Sequence, residues 1–195
     1  EKNLDHFAAI AAAGHEIGNH SFHHDPWLHR YAEGDMAREL TMAEEHIEQA
    51  TGQRPIGFRG PGYSLSQTTV AELNRRGYLY DASTLPTFIG PLARAYFFMS
   101  SAFTREEAAY RSTIFGGVRD GFRSIQPYRW DVGGEGLIEI PVTTMPFVRI
   151  PIHFSYLLYL SLYSRTVAQG YFRTALALCR TSGVEPSLLL HPLDF

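Results

Sequence analysis

The feature that most constrains this chain is an alternation of short apolar segments with helical ones, divided by glycine and proline. Ile56–Phe58 reads as a strand and is followed at once by the turn Gly60-Pro61-Gly62. Ser66 then opens a helix running to Arg76, and a second strand is expected around Tyr78–Asp81. Strand, helix, strand at this spacing predicts α/β architecture with a largely parallel sheet, because a crossover helix returns the chain to the same edge.

The flanking sequence continues the pattern. Leu4–Ala13 is Ala-rich with apolar spacings of three and four, a helix that Gly14 ends. Glu16–Asn19 is expected as a short strand. In the helix Gly34–Gly52, Met36, Leu40, Ala43 and Ile47 share a face and Gly52 is the cap. Leu137–Val142 (LIEIPV) returns to strand character, two helices are expected at Ser155–Tyr163 and Thr166–Arg180, and the last strand is Ser187–His191. Residues 86–130 are aromatic- and arginine-rich without a clean period and are expected to form an insertion. No repeat is visible, and 195 residues suit one sizeable domain.

A net charge of -3 gives no electrostatic reason to expect nucleic acid. The single cysteine, Cys179, excludes an internal disulfide and any Cys-based zinc site, and its apolar helical setting predicts a buried thiol. The apolar stretch Ile152–Tyr163 falls short of the ~20 residues that span a bilayer. The runs Tyr96–Met99 and Leu157–Leu160 leave contact with a lipid-linked sugar or a membrane surface open, core packing being the plainer account. The chain opens as if inside a domain, so its compartment is not legible.

Five of the nine histidines crowd into GHEIGNHSFHHDPWLH. Neutral imidazole is a good donor to zinc-like metals near pH 7. His20 and His24 are four apart, so on a helical turn both rings would face one ion. Surface or capping histidines are the alternative, as is an adjacent His23–His24 pair packed in a loop. The zinc-protease pattern His-Glu-x-x-His is excluded, since three residues separate Glu16 from His20.

The run Ala13–His24 (AGHEIGNHSFHH) resembles the second motif of NodB-type polysaccharide deacetylases, which ends in two metal ligands. By position these are His20 and His24, with Ser21 bracing the loop through its hydroxyl. Phe58–Tyr63 (FRGPGY) is similar to the third motif: Arg59 would hold a catalytic aspartate ionised, and the N–H of Gly62 would help hold the oxyanion. The family often has tyrosine at the Gly62 position, and here Tyr63 comes one place later. Gly77–Ser83 (GYLYDAS) resembles a barrel-wall strand from which Asp81 faces the groove or caps the strand end. Ser187–Pro192 (SLLLHP) matches the fifth motif, whose histidine, His191, is the general acid. Trp130-Asp131 lies where the fourth motif belongs, in the reverse order.

The resemblance implies a distorted (β/α) barrel, here lacking its first strand or strands. It implies hydrolysis of N-acetyl groups on amino sugars of a carbohydrate substrate, assisted by a divalent metal, zinc by its ligand type. No residue matches the first motif, Thr-Phe-Asp-Asp, whose aspartates are the base and the third ligand. The fragment by itself is therefore expected to be inactive, and a non-catalytic carbohydrate-binding relative is the alternative.

Overall fold

Alanine-rich sequence with no β-branched residue before Ile10 suits a helix, and the computed structural model, which describes residues 4–90, 118–133 and 136–190, begins with one. This is α1, Leu4–Ala12. Gly14 closes it at φ +85°, its N–H reaching Ala11 O and the next N–H reaching Ile10 O, so the orphan carbonyls of the last turn are satisfied. α2 (Glu33–Thr51) buries Met36, Leu40 and Ala43 as the spacing predicts, and Gly52 caps it at φ +71°. α3 (Gln67–Arg75) starts where Ser66 accepts a hydrogen bond from the Thr69 N–H.

The chain gathers into two compact units. The first contains residues 4–83 and 128–140 of those described. Its strands are β1 (Gly57–Phe58), β2 (Tyr80–Asp81), β3 (Tyr128–Arg129) and β4 (Ile138–Glu139), ordered β1-β2-β4-β3. β1, β2 and β4 run parallel, and β3 is antiparallel to β4. Phe58, Leu40, Met36, Leu73 and Leu137, all at most 1% exposed, form one core cluster. Arg76, bonded to Glu72 at 2.6 Å and to Glu44 at 2.7 Å, ties α3 to α2. The expected strand Glu16–Asn19 contracts to a single bridge. Only Asn19 makes both ladder bonds, donating to Gly57 O and accepting from Arg59 N–H.

The second unit contains residues 84–90, 118–127 and 141–190 of those described. Its helices are α4 (Phe154–Tyr163) and α5 (Arg165–Thr181), the latter capped by Ser164. Met145, Ile152, Ala175, Cys179 and Val184 are its core, so the cysteine is buried as expected. The expected strand 187–191 is reduced to a parallel bridge between Leu189 and His153 among the described residues. Core packing accounts for only part of α4. Leu157 is buried, but Leu158 and Tyr159 are exposed, as are Leu162 and Tyr163 beyond them. Among the described residues no helix is long and apolar enough to cross a membrane. Tyr96–Met99, and most of the expected insertion, lie outside the described residues.

Candidate metal and catalytic site

The histidine pair is carried by a loop rather than a helical turn. Ser21 and His24 both adopt left-handed backbone, at φ +63° and +60°, which side-chain-bearing residues enter at a cost of about 1–2 kcal/mol each. Neighbouring groups hold them there. Asn19, 1% exposed, accepts the Ser21 N–H on Oδ1 at 2.9 Å and donates through Nδ2 to the Tyr78 hydroxyl at 2.8 Å. The Ser21 hydroxyl oxygen then accepts the His24 N–H at 3.0 Å, the bracing role expected of it.

Glu39, from the buried face of α2, completes the support. Its Oε1 accepts the N–H groups of Phe22 and His23 at 2.7 and 2.6 Å, and its Oε2 accepts from His23 Nδ1 at 2.6 Å. The Glu39 bond, with its negative charge, raises the His23 pKa. Burial pushes the Glu39 carboxyl upward, but the His23 side chain and the two backbone N–H groups outweigh it and hold the carboxyl below its ordinary value. His23 is thus committed to bracing.

His20 and His24 converge, with ring centroids 5.0 Å apart and planes at 71°. His20 Nδ1 lies 2.6 Å from the carbonyl oxygen of Arg59. A carbonyl can only accept, so Nδ1 carries the proton and the lone pair is placed on Nε2. A backbone acceptor behind an imidazole is how metal-ligating histidines are commonly oriented. Among the described residues no group of three or more His, Cys, Asp or Glu side chains could hold a metal ion.

The Arg59–Tyr63 loop sits beside this pair. Arg59 donates from Nε to Ala82 O at 2.9 Å. Gly60 is obligatory, since a Cβ there would stand 2.0 Å from Ser64 O. Gly62, at φ +58°, is exposed within the short 3-10 turn Pro61–Tyr63, and Tyr63 follows at φ +62°. The Gly60 N–H donates to Ser83 Oγ at 2.7 Å, and that hydroxyl donates to Asp81 Oδ1 at 2.5 Å.

Asp81 is fully buried and joined through the Ser83 hydroxyl to the Gly60 N–H. Glu139, its register partner on β4, is also fully buried and accepts from Trp130 Nε1 at 3.0 Å. Sequence reasoning missed Glu39, Ser83 and Glu139. Only Glu139 left a signal, a lone carboxylate inside the apolar run LIEIPV. Of the pair Trp130-Asp131, the indole is the half that points inward, since Asp131 is exposed. His191 lies outside the described residues.

Residues 1–80 match the family model described as polysaccharide deacetylase. Over 78 residues the chain is 35% identical to the peptidoglycan deacetylase-like protein FGM2 of Gibberella zeae, covering 38% of this chain and 22% of that protein. It is 38% identical over 61 residues to YlxY of Bacillus subtilis, an uncharacterised protein, covering 31% and 19% of the two. The chain thus spans about a fifth of the length of these curated relatives. A crystal structure from Mycobacterium smegmatis, provisionally assigned as a polysaccharide deacetylase, superposes with a TM-score of 0.52 at 19% identity. That superposition covers 98% of this chain and 72% of the other, and the likeness is one of fold.

Proposed function

We propose, for a chain whose residues 1–80 belong to the polysaccharide deacetylase family, a part in the metal-dependent removal of N-acetyl groups from amino sugars of a polysaccharide or glycoconjugate. The observation that carries this reading is the convergent His20–His24 pair with the His20 tautomer set by Arg59 O. Two imidazoles oriented in this way fit a divalent ion with zinc-like preferences. Such an ion, when bound, polarises a carbonyl and acidifies a water.

The chain's own residues divide the remaining work. His20 and His24 hold the ion. Arg59, whose backbone carbonyl meets His20, is assigned the role of keeping a neighbouring carboxylate ionised. Gly62, exposed in its turn, is assigned the N–H that would hold the oxyanion, and Tyr63 a place in the wall of the substrate groove. His191, by its place at the end of an apolar segment, is assigned protonation of the departing amine. The family resemblance assigns the catalytic base to a first motif that has no match in this sequence. The parallel sheet is read as part of a distorted (β/α) barrel.

The test is made on the full-length protein. It should release acetate from N-acetylglucosamine oligomers, and His20→Ala should abolish both tight metal content after dialysis and activity. Undiminished metal in that variant would overturn the ligand assignment. Oligomer binding without acetate release by the metal-loaded protein would instead favour a carbohydrate-binding pseudoenzyme of the same fold.

A further inference from the structure

Two carboxyl groups are buried side by side in the first unit. Asp81 on β2 and Glu139 on β4 are register partners on parallel neighbouring strands, and both are fully buried. Paired strands lie ~4.8 Å apart, and register partners project to the same face. Two ionised carboxylates so placed would repel in a medium that screens poorly. Asp81 Oδ2 is buried with no hydrogen-bond donor, although Oδ1 of the same group accepts from Ser83. An orphaned carboxylate oxygen facing a second carboxylate has a simple resolution, a proton on one of them.

We propose that Asp81 and Glu139 hold one proton between them, and that the pair positions the Arg59–Tyr63 loop through Ser83. Asp81 Oδ2–H donates to Glu139, Trp130 Nε1–H satisfies Glu139 Oε2, and Asp81 Oδ1 fixes the Ser83 hydroxyl. The Ser83 oxygen in turn takes the Gly60 N–H, next in sequence to Arg59 and two residues before Gly62. Burial first, and then the charge and hydrogen bond of Glu139, raise the Asp81 carboxyl well above its ordinary range. Among the described residues, Tyr128 lies opposite Glu139 on β3, and Arg59, which follows the register partner of Asp81, has its Nε held by Ala82 O. Only the value of the loop to catalysis rests on the deacetylase reading. The shared proton and its link to Gly60 do not.

Three measurements on the chain itself decide the matter. Infrared difference spectra at neutral pH should show the carbonyl stretch of one protonated carboxylic acid, absent from both Asp81→Asn and Glu139→Gln, in which an amide N–H replaces the shared proton. No such band in the wild type overturns the proposal. Folding that takes up a proton loses stability as pH rises from the ordinary carboxylate range to the raised pKa of the pair. Across that window the folded-to-unfolded ratio of the wild type, relative to Asp81→Asn and extrapolated from denaturant titrations, should fall by about tenfold per pH unit. Equal pH slopes would sink the idea, and Glu139→Gln serves the same comparison should Asp81→Asn not fold. The Gly60 amide resonance should titrate with the pair in the wild type and cease to do so in Ser83→Ala. An amide indifferent to the pair removes the positioning role. A failed deacetylase assay would leave all three outcomes readable.

Discussion

At residue scale the chemistry hangs on groups that do not advertise themselves. The convergence of the His20 and His24 rings accords with the long motif they sit in, but the left-handed backbone at Ser21 and His24 was not legible, since φ is set by partners far along the chain. Glu39 is the clearest case. In sequence it is one of several glutamates in a polar helix, yet it is only 3% exposed and holds the loop at three points. Glu39→Gln should cost about 1–3 kcal/mol, mostly through the two backbone bonds, because His23 is exposed and its share is screened. The pH dependence follows from both partners. The lowered Glu39 pKa gives stability that is present above the unfolded carboxylate range and fades as pH falls through the folded value. The raised His23 pKa gives stability that is complete below the unfolded imidazole value and fades as pH rises through the folded one. The deficit of Glu39→Gln in urea titrations should therefore peak between the ordinary carboxylate and imidazole ranges. A deficit independent of pH would show that the His23 bond contributes nothing.

At the scale of elements, helices were legible and strands only in outline. α2, α3, α4 and α5 begin and end within a residue or two of expectation, because caps and periodicity are local. Strands depend on partners. Four residues expected at Glu16–Asn19 became one bridge, and LIEIPV contributed only Ile138 and Glu139. Turns fall between these cases, as the two loop glycines show. Gly60 has ordinary backbone, φ −72°, but an added Cβ would lie 2.0 Å from the Ser64 carbonyl oxygen, which cannot move without breaking the turn. Gly62 has φ +58°, and an added Cβ would stand 3.2 Å from Pro26 Cβ, a tight contact that a small shift relieves. Gly60→Ala should thus cost about 3 kcal/mol or more, and Gly62→Ala about 1–2 kcal/mol. Thermal melts of the two variants test the ranking, and a Gly62→Ala variant that melts lower than Gly60→Ala would refute it.

At the scale of the whole molecule the two units carry separate cores, and each has its own natural reporter. The sequence has two tryptophans, Trp27 and Trp130, and both fall in the first unit. The only cysteine, Cys179, is 1% exposed in the core of the second. This division was not legible in the sequence, which shows no linker between the units because the chain passes from one to the other more than once. What the pattern gave was the apolar positions, and those were right for Leu40 and for Cys179 alike. Cys179 is a sensitive probe because burial raises its pKa and hides its sulfur, so a thiol reagent reacts only when the core opens. Ile152, 1% exposed, belongs to the same core cluster. Ile152→Ala leaves a cavity costing about 2–5 kcal/mol. Where opening and closing outrun labelling, the rate follows the open population, so about 3 kcal/mol corresponds to labelling faster by about two orders of magnitude. Thiol labelling of the native protein measures this directly. A rate unchanged in Ile152→Ala would mean that Cys179 is exposed by a local movement of α5, without opening of the core around Ile152.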